Sequence, residues 1–417
     1  MNEDIIVKRY ANSNAIPGRN DLFIDNWGND TETMKDYSLK RKNRVVEYTD
    51  KWTTGGIESY ILNIVRLINV SDIEVRILVA QKDTDLYDQE LSQYGVTVET
   101  LLNCSYKNPI KRVLHTQKKI RKFFLDNTID TLHLHLCQGV ALRYAKTAKK
   151  AGIGNVIVHS HNSDFGDGNR IIKRIGHEIG KRIYNKYTDQ RLACSDLAAR
   201  WLFSRKDVAR GRIKYVKYIV DVERFIYSKS KRDQLRIKYG IDSQAIVLLN
   251  IGRFNYQKNH VFLVDVFNRI RLLRDDVFLV LIGTGELENE ILSRISRLGI
   301  SDGVLHIKGT RKIDDYMCMS DVLLMPSLFE GNPIVGVEAQ ANGLYCIFSN
   351  RITDYVKILN SSNMVSIDKG EKPWVDLVIK EKVNDDEEYR RNCNYSVRKR
   401  GYNAELQIEE LIDIYIG

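Results

Sequence analysis

Short apolar runs alternate with helix-like segments along most of the chain. Five runs typical of buried strands precede residue 200, and five more follow residue 240. In chain order they are 44–48, 74–80, 131–136, 155–161 and 191–195, and then 245–252, 277–283, 304–309, 322–327 and 344–349. The segments between them, such as "ESYILNIVRLI", repeat apolar residues with the period of a helix. This alternation predicts parallel sheets with helices on both faces.

Because the alternation occurs twice, and because 417 residues exceed one ordinary core, we predict two domains. The expected fold class is α/β, with two Rossmann-like, doubly wound parallel-sheet domains that face a central cleft. The first spans 44–220 and the second 221–400. Residues 401–417 are expected to form a C-terminal helix that can return to the first domain. Residues 1–43 are mostly polar and aperiodic, and the sequence assigns them no role.

Composition excludes several classes of protein. The longest apolar runs fall well short of the roughly 18 residues that a membrane span needs. The chain does not start with a basic segment followed by an apolar stretch, as a signal peptide would. Six scattered cysteines without a C-x-x-C pair indicate reduced thiols and no zinc site. We therefore expect a cytoplasmic protein.

The net charge of +10 is unevenly distributed. Residues 101–220 hold 25 Lys and Arg against 8 Asp and Glu. This excess indicates an anionic partner of the first half, such as membrane lipid, nucleic acid or a phosphorylated substrate, unless it is only a solvated basic face. The chain contains no nucleic-acid-binding motif.

A basic amphipathic helix is predicted within 169–186. Its isoleucines at 172, 175, 179 and 183 lie on one helical stripe. A helix of this kind can lie on an anionic membrane, peripheral on its inner face. The residues expected on the membrane or acceptor face are Lys173, Arg174, Lys181 and Arg182. The alternative is that the stripe packs on the sheet and only the charges face water.

The loop after the run 322–327 carries candidate chemistry. Gly331 allows close backbone approach, and Pro333 suits the first turn of a helix, whose free N–H groups form an anion site. Glu330 and Glu338 bracket this turn, and carboxylates accept hydrogen bonds from sugar hydroxyls. The pattern suits a nucleotide-sugar. The alternative is an ordinary helix start at which the dipole favours acidic residues.

Two further sets of residues follow strands. Arg253 and Lys258 come after the run 245–252, where they could neutralise a diphosphate or be ordinary surface charges. His133, His135 and His161 lie at or near the ends of first-half strands, where they could face a cleft or be packed in a core. Their spacing matches no metal motif, and no Asp-x-Asp ends a strand, so no metal site is expected.

Taken together, these residues resemble the retaining glycosyltransferases of family 4, which have the GT-B architecture. The stretch "PSLFEGNPIVGVEAQANGLYCIFSN" (326–350) matches the most specific signature of that family. The stretches "GRFNYQKNHVFLVDVF" (252–267), "LVLIGTGEL" (279–287), "GGIESY" (55–60) and "VHSHNSDF" (158–165) match in order and spacing. The resemblance covers residues 44–417 and is of the bacterial capsule or exopolysaccharide type.

The resemblance implies roles for single residues. The implied catalytic residues are His161, Glu330, Arg253 and Lys258. The implied donor-binding residues are Gly56, Arg253, Lys258, Glu330, Gly331, Asn332, Pro333, Ile334, Val335 and Glu338. Neither a cofactor nor a metal is implied.

The expected reaction transfers a sugar, with retention of configuration, from a nucleotide-diphosphate donor to a glycan or lipid-linked glycan acceptor. The expected donor is a UDP-sugar, and the expected pathway is surface polysaccharide synthesis. The sequence does not identify the sugar, the acceptor or the oligomeric state. Two alternatives remain open at this point: a nucleotide-sugar epimerase of the same fold, and a non-catalytic partner subunit.

Overall fold

The computed structural model describes residues 42–68, 72–102, 109–165 and 170–417. Residues 1–41, which make up most of the predicted N-terminal extension, lie outside the described residues. Within the described ranges the chain forms two parallel sheets with helices packed on both faces, as the alternation of strands and helices predicts.

The first sheet has seven strands among the described residues. These are β1 Asn43–Trp52, β2 Ile73–Lys82, β3 Val98–Thr100, β4 Thr131–Leu136, β5 Asn155–Ser160, β6 Gln190–Ala193 and β7 Lys214–Tyr215. The helices of this half are α1 Gly56–Ile68, α2 Asp88–Gln93, α3 Pro109–Asp126, α4 Arg143–Lys150, α5 Arg170–Tyr184, α6 Asp196–Leu202 and α7 Arg205–Ala209. The strand order is β3-β2-β1-β4-β5-β6-β7, so the direction of winding reverses between β1 and β4.

The second sheet has six strands among the described residues. These are β8 Ile246–Ile251, β9 Val277–Ile282, β10 Val304–Ile307, β11 Val322–Met325, β12 Tyr345–Ser349 and β13 Ser362–Val365. The helices are α8 Lys229–Tyr239, α9 His260–Arg271, α10 Glu288–Arg297, α11 Ile313–Met319, α12 Ile334–Ala341, α13 Lys372–Val378, α14 Glu387–Lys399 and α15 Ala404–Ile416. The order β10-β9-β8-β11-β12-β13 places the reversal between β8 and β11. The predicted fold class is confirmed.

The central strands are apolar along their whole length because helices cover both faces of each sheet. All six residues of β4, "TLHLHL", are buried, and so are all four of β11, "VLLM". In β4 the alternation of Leu and His puts the two histidines on one face, which is why that face carries polar side chains in the interior.

The last helix, α15, packs on the first half of the chain. The Tyr415 carbonyl accepts a hydrogen bond from Thr131 Oγ1 at 2.9 Å, and the Tyr415 hydroxyl donates to Glu47. Ile408, Leu411 and Ile414 are buried in the apolar cluster that also contains residues of β1 and α1. The helix therefore belongs structurally to the first sheet, although it follows the second in sequence.

A buried ionic cluster holds α8 to the second sheet. Asp321, 3% exposed, accepts hydrogen bonds from Arg232 Nη2 at 2.6 Å and from Arg236 Nη2 at 2.8 Å. Its carboxylate also accepts from the Val247 amide at 2.8 Å, so it ties the starts of β8 and β11 to the helix. Two guanidinium groups share this one carboxylate, and backbone carbonyls accept further hydrogen bonds from both of them.

Candidate active site

The loops that follow β8 and β11 flank the point at which the second sheet reverses its winding. In open parallel sheets, ligands bind outside the carboxyl ends of the strands at such a point. The β8 loop contains Arg253 and Lys258, and the β11 loop contains Glu330–Pro333, so the fold brings these two sequence-predicted groups to one edge.

The β11 loop is buried and leads directly into α12. Pro333 is the residue before the first helical turn, with φ −73° and ψ 116°, and Glu330 and Asn332 are 8% and 4% exposed. Gly336, in the first turn, lies close against Phe348 and Val356, where a Cβ would come within 2.5 Å of Val356 Cγ2. This packing fixes the amino end of α12, whose free N–H groups and dipole favour an anion.

Lys258 and Glu330, predicted for the phosphate and the sugar respectively, form an ion pair. Lys258 Nζ lies 2.7 Å from Glu330 Oε1, and the two side chains are 16% and 11% exposed. Gln257 Nε2 donates to the other carboxylate oxygen at 3.0 Å. Gln257 is a site residue that sequence analysis missed, and its position directly before Lys258 is the only signal for it. Without donor, the pair keeps both charges neutralised at the mouth of the site.

The side chain of Lys258 packs against Gly252 at the end of β8. A Cβ on Gly252 would lie 2.8 Å from Lys258 Cε, so a larger residue there would displace the lysine side chain. Asn255 accepts a hydrogen bond from the Lys258 amide at 3.1 Å, and Asn259 takes the left-handed conformation with φ 55°. The side chain is thereby aimed at Glu330.

Arg253 is held by a different carboxylate. Its Nε donates to Glu286 Oε2 at 3.0 Å, and the side chain is 39% exposed. Glu286 belongs to the turn after β9, where Gly283 adopts φ +139° against the backbone of Gly252. A diphosphate that engaged Arg253 would therefore compete with Glu286.

Glu338 lies one turn inside α12 and is 9% exposed. Burial raises the pKa of this carboxyl from the usual 4.5 to about 7. The cations of Arg224 and Arg66 oppose the shift, and the nearby Asp314 adds to it. A carboxyl that is half protonated near neutral pH gains its charge most readily when a ligand donates hydrogen bonds to it.

The first half contributes two backbone segments to the site. A Cβ on Gly331 would lie 2.2 Å from the carbonyl oxygen of His161, and Ser163 Oγ donates to the Glu330 carbonyl at 3.0 Å. The loop after β5 therefore rests directly on the β11 loop. At the start of α1, a Cβ on Gly56 would lie 4.0 Å from Ile334 Cδ1, so the beginnings of α1 and α12 are adjacent.

The glycine loop before α1 is fixed by Glu58, which sequence analysis missed. Its carboxylate accepts hydrogen bonds from the Thr53 amide at 2.7 Å and from the Gly55 amide at 3.1 Å. A glutamate three residues after a helix-opening loop is a capping signal, and it could have identified this residue from sequence.

The sequence left two possibilities for the histidines, side chains that face the cleft or side chains packed in the core. His133 and His135 are 0% and 2% exposed and lie inside the first half, which is the packed alternative. The ring of His161 is also turned inward: Nε2 lies 2.8 Å from His135 Nδ1, and Nδ1 lies 2.7 Å from the Tyr218 hydroxyl. Burial, together with the neighbouring imidazoles, pushes the pKa of His161 well below its usual range. In this conformation His161 meets the β11 loop through its backbone.

The isoleucine stripe of α5 faces outward rather than packing on the sheet. Ile172, Ile175, Ile179 and Ile183 are 68%, 56%, 50% and 46% exposed. The inner face of the helix instead uses small residues, because a Cβ on Gly180 would lie 2.1 Å from the Gly139 carbonyl oxygen. The alternative in which the stripe is covered by the sheet is therefore wrong.

The basic residues of α5 divide between the two faces. Arg174 and Arg182 are exposed, and Lys173 is half-buried. Lys181 is a correction to the predicted membrane face, because its Nζ donates to the Arg200 carbonyl at 3.2 Å and its side chain is only 12% exposed. None of the helices in the described ranges is both long and apolar enough to cross a membrane.

Two family models match the chain, one in each half. Residues 54–224 match the family model "Glycosyltransferase Family 4", and residues 231–400 match "Glycosyl transferases group 1". EpsF of Bacillus subtilis (strain 168) is 26% identical over 373 residues, which cover 89% of this chain and 96% of EpsF. The UDP-Gal:alpha-D-GlcNAc-diphosphoundecaprenol alpha-1,3-galactosyltransferase of Escherichia coli is 24% identical over 80% of this chain and 86% of that enzyme.

A solved structure shares the fold. The crystal structure of Anabaena Alr3699/HepE in complex with UDP and glucose superposes with a TM-score of 0.70 at 14% identity, covering 88% of this chain and 98% of that one. Together the two family models cover every described strand except β1, and the second of them includes the Lys258–Glu330 pair. The chain therefore belongs to family 4 of the glycosyltransferases, and it is a transferase of the GT-B fold.

Proposed function

We propose that this glycosyltransferase moves a sugar, with retention of anomeric configuration, from a UDP-sugar to a lipid-linked glycan during surface polysaccharide synthesis. The observation that carries the proposal is the buried Lys258–Glu330 pair at the amino end of α12, with Glu338 one turn further along. The names of two relatives support the choice of ligands, since one acts on a UDP-sugar and a diphosphoundecaprenol-linked acceptor and the other was crystallised with UDP and glucose.

The geometry suggests a division of labour along the donor. The diphosphate would lie at the amino end of α12, where Lys258 and the helix N–H groups stabilise the negative charge that develops as the sugar leaves. Glu330, released from Lys258, would accept hydrogen bonds from the sugar hydroxyls, and Glu338 would accept them from the ribose. Since side chains supply this positive charge, we propose that transfer does not require a divalent metal.

The bond changes balance without any further reagent. The bond between the anomeric carbon and the phosphate oxygen breaks, and the acceptor oxygen bonds to that carbon from the same face. The acceptor proton passes to the departing diphosphate, which leaves as UDP. The β5 and β11 loops are in contact beside the donor groups, and this contact would help to exclude water, which would otherwise hydrolyse the donor.

The exposed α5 surface supports an acceptor held at an anionic membrane. Four isoleucines that are each about half exposed or more, beside Arg174 and Arg182, form a surface that can insert its apolar side among lipids while its cations meet phosphate groups. Binding at this surface would keep the protein peripheral on the membrane and bring a lipid-linked acceptor close to the first half.

The reaction is tested by incubating the protein with a panel of nucleotide-sugars, with and without a polyprenyl-diphosphate glycan. Expected are UDP release that depends on the acceptor and, by NMR, a product linkage with the anomeric configuration of the donor. Conversion of the nucleotide-sugar without acceptor would identify an epimerase and refute the proposal. No turnover or binding with any donor would favour a non-catalytic subunit.

The membrane surface is tested by co-sedimentation with liposomes. Binding is expected to require anionic lipid, to fall as salt is raised, and to be weakened by the double variant Ile175→Ser, Ile179→Ser. Ile237→Ser is the matched control, because Ile237 is 80% exposed on α8, in the other half of the chain. Equal binding by the double variant and the control, or no binding at low salt, would contradict the assignment.

A further inference from the structure

Four histidine rings are buried together inside the first half of the chain. His133 and His135 are on β4, His159 is on β5, and His161 directly follows β5. The parallel register pairs His135 with His159, and the alternation of each strand sends all four side chains to one face. The four residues are between 0% and 7% exposed.

A buried carboxylate orients two of these rings. Glu47 on β1 is fully buried, and its Oε2 lies 2.6 Å from His135 Nε2 and 3.1 Å from His133 Nδ1. The Tyr415 hydroxyl also donates a hydrogen bond to this carboxylate. An ionised carboxylate can only accept hydrogen bonds, so both facing nitrogens carry hydrogen.

The tautomers that follow leave lone pairs on the inner nitrogens. With its hydrogen on Nε2, neutral His135 presents a lone pair at Nδ1, and His133 presents one at Nε2. A histidine whose second ring nitrogen donates to a carboxylate is the usual arrangement of a metal ligand.

Several nitrogens of the cluster have no partner. His133 Nε2 and both ring nitrogens of His159 are buried, and no hydrogen bond satisfies them within the described part of the chain. Leaving such a group unsatisfied destabilises the folded protein, because the group gives up its hydrogen bonds to water. Single nitrogens of His133, His135 and His159 lie within 4.8 Å of one another, which makes one shared partner possible.

We propose that His133, His135 and His159 bind a zinc-like divalent metal ion, with Glu47 holding the first two rings from behind. Imidazole suits zinc and the neighbouring first-row metals. Zn–N bonds of about 2.0–2.1 Å in a tetrahedral site require N–N separations of roughly 3.3 Å. The three nitrogens lie within 4.8 Å of one another, so the rings would have to move closer together on binding. In the structure His135 Nδ1 accepts a hydrogen bond from His161 Nε2 at 2.8 Å, so on binding this lone pair would exchange that donor for the metal.

The site is structural in character and separate from the proposed transfer chemistry. Three elements besides β4 and β5 converge on it: β1 through Glu47, α1 through Tyr60, and α15 through Tyr415, whose hydroxyl lies 2.9 Å from His133 Nδ1. Metal bound here would fasten the returning helix α15 to the first sheet. Tyr60 covers the cluster edge-on, with ring centroids 5.4 Å from His159.

The first measurement is the metal content of wild-type protein made with a tag that contains no histidine. Roughly one zinc per chain is expected after dialysis against metal-free buffer, because a site buried at folding releases metal slowly. Protein unfolded in chelator and refolded with Co²⁺ should show d–d absorption in the visible range. A wild-type chain that takes up neither zinc nor cobalt in these two experiments overturns the proposal.

The second measurement compares His159→Leu with His260→Leu. His260 is an equally buried histidine at the start of α9, and neither of its nitrogens has a partner in the described ranges, so it is a matched control. Without metal, each change removes an unsatisfied polar group and should leave the Tm unchanged or raise it. With metal, only His159→Leu should lose the zinc and lower the Tm of zinc-loaded protein.

Zinc retained by His159→Leu, or a Tm equal to wild type, would refute the site. If His159→Leu does not fold, the wild-type metal content decides the proposal alone. Neither readout depends on sugar transfer, so failure of the metal site and failure of the proposed function remain distinguishable.

Discussion

The raised pKa of Glu338 makes a quantitative prediction about stability. Its pKa is about 7 in the folded protein against 4.5 for the ordinary group. At about 1.36 kcal/mol per pKa unit, the difference corresponds to roughly 3 kcal/mol when the carboxyl is ionised. Below pH 4.5 the group is protonated in both the folded and the unfolded chain and costs nothing. The cost develops as the pH rises from 4.5 to 7 and is complete above that.

Glu338→Gln should remove this cost while keeping the shape of the side chain. We expect the free energy of unfolding to increase by about 2–3 kcal/mol at pH 8 and to change little at pH 4.5. Urea unfolding at both pH values measures the difference. Glu290→Gln removes an exposed carboxylate from α10 in the same half and controls for the change in net charge.

The same ionisation should appear in nucleotide binding. If ribose hydroxyls donate to Glu338, UDP prefers the ionised form, which makes up about one tenth of the protein at pH 6 and nine tenths at pH 8. The affinity of wild type for UDP, relative to that of Glu338→Gln, should therefore rise about tenfold between these pH values. Because both proteins bind the same nucleotide, titration of its phosphate cancels in the ratio.

Isothermal titration calorimetry in two buffers of different ionisation enthalpy should also detect more protons released on binding at pH 6 by wild type than by the variant. A pH-independent affinity ratio, together with equal stability changes at pH 4.5 and pH 8, would refute the reasoning. It would show that Glu338 is neither strained by burial nor engaged by the ribose.

The remaining predictions concern the donor site and the core. Lys258→Ala should lower kcat about 10²–10³-fold, which is the usual effect of removing one preorganised charge-stabilising group. Lys382→Ala, at an exposed lysine, is the control. Turnover by Lys258→Ala within about twofold of wild type would refute the phosphate role. Asp321→Ala should lower the free energy of unfolding by about 3–5 kcal/mol, because it leaves Arg232 and Arg236 buried without their carboxylate. A decrease in the free energy of unfolding of less than about 1 kcal/mol, measured with urea, would contradict this. Transfer assayed briefly in excess EDTA should keep most of its rate, and a loss that Mg²⁺ or Mn²⁺ restores would show that the diphosphate needs metal.

Local sequence was sufficient to predict the sheets and the donor loop. The buried parallel strands are continuous apolar runs because helices cover both of their faces. The positions of β8, β9 and β11 could therefore be predicted from the sequence. The Gly-x-Pro turn before α12 depends on neighbours along the chain, and the structure places it at the end of β11 as expected. The sequence therefore determined the fold class and the edge at which a ligand can bind.

Contacts between distant parts of the chain decided how the candidate residues are paired. Lys258 and Glu330 are 72 positions apart and could not be recognised as an ion pair from either loop alone. The same holds for Arg253, whose partner Glu286 belongs to another turn. Whether the α5 isoleucines face the sheet or the surroundings depended on the close packing of Gly139 and Gly180, which the helical period does not encode.

The buried histidines also separate what local sequence determines from what tertiary packing determines. The "HLHL" alternation determines that His133 and His135 share one face of β4, since side chains in a strand alternate with period two. Which face is buried, and what covers it, depends on Tyr415, which comes 282 positions after His133 in the chain. A return of the last helix to the first sheet involves packing across the whole molecule, so only the tertiary structure could place these rings in the interior.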